Sequence, residues 1–115
     1  MIAENTQTQM RKGILEYCVL LIISKAEIYA SDIIMELREA NLLVVEGTLY
    51  PLLTRLKNNG LLAYNWVEST TGPPRKYYTL TDKGREILTQ LDVTWKELEY
   101  AINRSKAQKD KSETS

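Results

Sequence analysis

The apolar residues of this chain change their spacing at Gly60, and that change constrains what lies on either side. Before it, Leu49, Leu52, Leu53 and Leu56 recur at the i, i+3, i+4, i+7 interval of one helical face. After it, "LLAYNWV" at 61–67 alternates like a strand, with Tyr64 and Trp66 on one side. "KYYTLT" at 76–81 reads as the return strand, rich in aromatic and β-branched residues. Asn58-Asn59-Gly60 stops the helix, glycine being suited to a left-handed cap. "ESTTGPPR" supplies the turn. Pro73 and Pro74 cannot donate to a ladder, so they are expected at the tip and outside the sheet, where they stiffen the loop.

The flanking segments are helical. Residues 10–25 read as a helix that is apolar almost all round and therefore enclosed on several sides. "KAEIYA" breaks it. A second helix is expected over 31–40, capped by Ser31 or Asp32, with Ile33, Ile34 and Leu37 buried. "NLLVVEG" is a connector with a short extended piece. The leucine-faced third helix covers 48–59; Pro51 lacks an amide hydrogen and suits only a first turn, which puts the start near 47 or 48. Thr81-Asp82 caps a last helix over 82–104, and the polar end of the chain frays. Three helices followed by a hairpin and a long helix make an α+β, mainly α, fold: a winged helix-turn-helix with a long C-terminal dimerisation helix. A generic α+β domain fits the same string. The expected division is a winged-helix domain at 1–82, a dimerisation helix at 83–106 and a polar tail at 107–115.

Composition narrows the chemistry. A chain of 115 residues is one domain's length. The formal net charge is zero, so attraction to nucleic acid has to come from local charge. One cysteine, Cys18, and no histidine exclude a disulfide framework and the common zinc sites. Cys18 lies in an apolar helix and reads as an inert core residue. With no glycine-rich phosphate loop, no histidine base and no cysteine–histidine pair, neither an enzyme nor a cofactor is expected. The apolar run at 14–23 is interrupted by Glu16 and falls short of the ~20 residues a membrane span needs. The first dozen residues are polar, unlike a signal peptide, and a cytoplasmic location is expected.

The candidate site lies on the third helix and the hairpin. With the leucines inward, Tyr50, Thr54, Arg55 and Lys57 are left to offer hydrogen bonds or charge to bases and phosphates; Thr48, at the helix start where the backbone comes closest to a partner, and Pro51 on the same side complete the DNA-binding set. Equally, Tyr50 can pack at the core edge and Arg55 and Lys57 can form a solvated face. Arg75 and Lys76, at the base of the Pro-Pro turn, are either ordinary exposed charge or a wing that reaches phosphates and the minor groove. From 46 to 84 there are five cations (Arg55, Lys57, Arg75, Lys76, Lys83) against three anions (Glu46, Glu68, Asp82), and Arg11 and Lys12 before the first helix add two more. Tyr77 and Tyr78 alternate, so one packs on the core and the other faces outward. In the last helix Leu88, Leu91, Trp95, Leu98 and Ile102 are spaced 3, 4, 3, 4, a heptad seam. It either folds back on its own domain or meets a second copy, and a two-fold dimer implies a palindromic operator. Trp95, mid-seam, is an interface anchor or a platform for a ligand.

Two blocks, "GTLYPLLTRLKNNGLL" and "GPPRKYYTLTDKG", together with Gly13, Leu15, Tyr29 and Asp32-Ile33, resemble the PadR family of bacterial transcriptional regulators. The resemblance implies a homodimer that represses transcription by binding double-stranded operator DNA and is often released by a small molecule. The long last helix is similar to the short branch of the family, with one C-terminal helix. Some dimeric relatives hold flat aromatic compounds between subunits against a tryptophan of this helix, and Trp95 stands where such a residue would. The same resemblance implies that the Arg-Lys-Tyr-Tyr run supports the wing. A winged-helix module that binds protein and not DNA is the other function in view, favoured by the near-neutral charge.

Overall fold

The computed structural model describes residues 2–108. In chain order they form α1 (Ile2–Lys25), β1 (Ile28–Tyr29), α2 (Ala30–Glu39), α3 (Glu46–Asn58), β2 (Leu62–Ser69), β3 (Gly72–Leu80) and α4 (Asp82–Lys106). The three helices, hairpin and long helix stand in the expected order. Residues 109–115 of the expected polar tail lie outside the described residues.

Each apolar face closes on one core. Val19, Leu20 and Ile23 of α1, Ile33 and Leu37 of α2, and all four leucines of the α3 face are buried together. Leu62, Tyr78 and Leu80 of the sheet and Leu88 of α4 complete it. α1 is less enclosed than its composition suggests, since Leu21 is exposed. It also begins much earlier than residue 10. The polar opening is rich in Glu, Gln, Met and Lys, straight-chain residues that cost little in a helix. Arg11 and Lys12 therefore sit within α1 and not ahead of it.

The segment "KAEIYA" ends α1 as expected, and it also holds a third strand of the sheet. The strand order is β1-β3-β2, all antiparallel, with Ile28 opposite Tyr78 and Tyr29 opposite Tyr77. β1 hands the chain directly into α2. Tyr29 is thus the N-cap residue, without a side-chain cap bond, and Ser31 and Asp32 fall inside the first turn instead of capping it. The connector after α2 holds no strand.

Two helices end on the same device. Asn41 (φ 62°) and Gly60 (φ 81°) adopt the left-handed conformation. Beyond each, an amide reaches back into the last turn, Leu42 to the Leu37 carbonyl (2.8 Å) and Leu61 to the Leu56 carbonyl (3.0 Å). α3 starts at Glu46, so Pro51 lies in the second turn, deeper than its chemistry suggested. Pro51 has no hydrogen to offer the carbonyl of Gly47 one turn back; Gly47 is exposed, and a residue without a side chain there leaves that carbonyl open to water.

The prolines lie within β3, not at the tip. Val67 pairs with Arg75 and Ser69 with Gly72, so Glu68 alone faces Pro73 and Pro74. That is a bulge, where an unpaired residue needs no ladder donor. The turn itself is Thr70-Thr71.

Thr81 caps α4 as expected: its Oγ1 accepts from the Gly84 amide (3.0 Å). The same hydroxyl donates to the Gly60 carbonyl (2.6 Å), and the Thr81 amide donates to the Leu61 carbonyl (3.0 Å). Lys83 Nζ donates to the Asn59 carbonyl (2.9 Å), placing a cation at the negative end of α3. Together these bonds fasten the start of α4 to the end of α3. A further tie joins α1 to α4, where the Tyr17 hydroxyl donates to Asp92 Oδ1. That bond, with some burial, pushes the Tyr17 pKa up to about 12.

The molecule is elongated. Its radius of gyration is 18.2 Å and its extents are 72 × 34 × 23 Å, whereas a compact domain of this length has a radius of about 13 Å. Residues 2–13 of α1 and 93–106 of α4 are exposed throughout and project from the core. Among the described residues no helix is long and apolar enough to cross a membrane.

Candidate nucleic-acid interface

With its leucine face buried, α3 turns two flanks and a ridge outward. Tyr50, Thr54 and Lys57 follow one another at i, i+4, i+7 on the flank beside the wing, and all three are exposed. An open cleft of about 470 Å³ runs between this flank and the sheet. Tyr50 and Thr54 line it from α3, Arg75 and Lys76 from β3, and Tyr29 and Ser31 from the start of α2. Four of the residues singled out in the sequence therefore converge on one concave surface.

Strand alternation separates the two wing cations. Lys76 is opposite Trp66, and Tyr64 is opposite Tyr78, all on the face that packs against α3. The Lys76 ammonium lies 4.5 Å from the Tyr64 ring centroid and 5.2 Å from that of Trp66. Lys57 approaches Tyr64 from α3, at 5.5 Å. Arg75 leaves β3 from the alternate side, and its guanidinium lies 5.1 Å from the ring of Tyr29, which lines the same cleft. Tyr29 in turn packs against Tyr77, with centroids 3.7 Å apart and the rings tilted by 35°. Tyr78 is the core-facing member of the tyrosine pair, and burial raises its pKa.

The remaining candidates lie elsewhere. Thr48, Pro51 and Arg55 occupy the other side of α3, toward α1, and are exposed. Arg55 Nη2 is 3.4 Å from Glu16 Oε2 of α1, an exposed ion pair that partly commits its charge. Arg11 sits on the exposed half of α1 and does not line the cleft. Tyr29, named above only for the family resemblance, and Ser31, named only as a helix cap, are cleft residues that the sequence did not mark as such. The signal in "IYAS" was an aromatic after a β-branched residue, too short to mark a strand until β3 is present to pair with it.

On α4 the heptad seam divides. Leu88 is buried in its own chain's core and Leu91 packs against it, so that end of the seam is already covered. This corrects the reading of Leu88 as a residue free to face a partner. Trp95 (37%), Leu98 (51%) and Ile102 (45%) remain exposed along the projecting part.

A third helix with a free outer flank, a β-hairpin beside it and a short strand closing the sheet define a winged helix-turn-helix protein. Comparison with known proteins agrees. The sequence pattern of the transcriptional regulator PadR-like family matches residues 19–90. A PadR-like transcription factor from Bacteroides fragilis is 63% identical, with 87% of this chain and 97% of that one covered and a TM-score of 0.76. A PadR-like transcriptional regulator from Bacillus cereus is 36% identical over 88% of this chain and 99% of that one, with a TM-score of 0.78. PadR of Bacillus subtilis, solved in complex with operator DNA, is 27% identical, covering 68% of this chain and 46% of that one, with a TM-score of 0.63. The chain belongs to the PadR-like family of transcriptional regulators.

Proposed function

We propose that this protein is a cytoplasmic, homodimeric repressor that binds a palindromic operator and is released by a planar aromatic or hydrophobic effector. The observation that carries the DNA contact is the convergence of Tyr50, Thr54 and Lys57 on α3 with Lys76 and Arg75 on the wing. The likeness to a PadR protein held on operator DNA supports it. In this reading Tyr50 and Thr54 reach base edges or the sugar–phosphate backbone. Lys57, Arg75 and Lys76 neutralise phosphates, and Thr48, Pro51, Arg55 and Arg11 sit at the margin. Because whole-chain charge is zero, attraction depends on these few side chains.

Binding to a random-sequence duplex and to the duplex upstream of the protein's own coding region, measured across salt concentrations, tests the reading. Affinity should fall steeply with salt. Replacing Arg75 and Lys76 together by alanine should weaken both duplexes about equally and make the slope of log K against log salt shallower by about 1.8. A flat salt response would favour the protein-binding module instead.

Trp95, Leu98 and Ile102 are the side chains assigned to the subunit interface, with Leu91 at its margin. A flat molecule inserted against Trp95 would change the spacing of the two heads and shift the population of DNA-competent dimers. Titration with a planar hydrophobic dye should quench tryptophan emission, and Trp95→Ala should abolish that quenching despite the presence of Trp66. Unchanged quenching in that variant removes Trp95 from the effector site.

A further inference from the structure

Trp66 has the most exposed aromatic ring of the sheet, at 62%. It lies directly across the ladder from Lys76, whose ammonium is 5.2 Å from its ring. Tyr64, two residues earlier on β2, meets Trp66 edge to face at 6.2 Å and carries the same ammonium at 4.5 Å. Tyr64 also meets Lys57 of α3, whose ammonium is 5.5 Å from its ring centroid. Two cations from different elements thus share one aromatic platform, and among the described residues neither has a carboxylate partner. Like charges so close repel; the ring faces attract both. A lysine held this way loses less side-chain freedom when it meets an anion.

We propose that Trp66 is a positioning residue for duplex binding. With Tyr64, it holds the Lys76 ammonium beside Lys57, so that wing and α3 meet neighbouring phosphates as one unit. This rests on the reading that α3 and the wing grip DNA.

A double-mutant cycle between Trp66 and Lys76 tests it, read as affinity for the random-sequence duplex at fixed low salt. Trp66→Ala should weaken binding about two- to fivefold, and Trp66→Phe, which keeps a ring, should restore most of the loss. In a Lys76→Ala background the change from Trp66 to Ala should have no further effect. Because Trp66 is mostly solvent-exposed, the thermal midpoint should stay where it is in both backgrounds. An equal loss in both backgrounds, or no loss in either, overturns the positioning role while leaving DNA binding intact. Absence of binding by the unaltered protein to both this duplex and the upstream one overturns the DNA reading and this role with it.

Discussion

Gly84→Ala is expected to destabilise the protein by about 3 kcal/mol, against the usual sign of a glycine-to-alanine change in a helix. Alanine is the better helix former by about 1 kcal/mol, so an open site would gain. Gly84 is not open. A Cβ there would lie 2.2 Å from the Leu61 carbonyl oxygen and 2.8 Å from Leu80 Cδ1. The leucine tip can rotate, but the carbonyl cannot retreat freely, because it accepts the Thr81 amide at 3.0 Å. Relief requires moving the start of α4 away from the α3–β2 corner, which strains the Thr81 cap and the Leu88 contact with the core. Gly13→Ala is the control. A Cβ at that helical position meets nothing within 4 Å, and the change should be neutral or stabilising by up to about 1 kcal/mol. Thermal melts at one protein concentration compare the two. Gly84→Ala should fall by roughly 10–20 °C; a midpoint within a degree or two of the parent would mean that α4 does not sit this close to β2.

The second large effect is expected on α4. Leu98 and Ile102 are about half exposed in the single chain, so replacing both by aspartate should leave the winged head folded. If these side chains face a second copy, the double variant places four carboxylates in one apolar seam, two from each copy, where unpaired charge is costly. The mass in solution should drop from twice 13.2 kDa to the single-chain value. Binding to the upstream duplex should weaken by roughly a hundredfold or more, since the second head no longer binds at high effective concentration. Non-specific binding by one head should suffer much less. A dimeric mass for the variant, or a single-chain mass for the parent, would refute this assembly.

The projecting helices give the same assembly a physical motive. Residues 2–13 form an exposed helical extension, and an isolated helix of that length is marginal in water. Ile2 and Met10 on that extension are exposed, as are Val93, Leu98 and Tyr100 on α4. Two copies packed through these extensions would cover apolar surface that a single chain leaves to solvent.

Much of this protein was written locally. The leucine interval of α3, the switch of period at Gly60, the left-handed cap there and the threonine at the start of α4 are decisions of neighbouring residues. Helical spacing, positive φ and capping chemistry act within one or two turns, so the order of elements and the buried face of α3 could be read directly. Other features depended on partners distant in sequence. Two residues become β1 only because Tyr77 and Tyr78 offer them a ladder. Pro73 and Pro74 stay in a strand because the register of β2 leaves them a bulge. Leu88 leaves the heptad seam because the core reaches it first. Glu16 of α1 supplies the ion-pair partner of Arg55, while Tyr29 and Trp66 supply rings that the two wing cations meet. Periodicity says which way a side chain points along its own element. What it points at is settled only when strands and helices far apart in the chain close on one another.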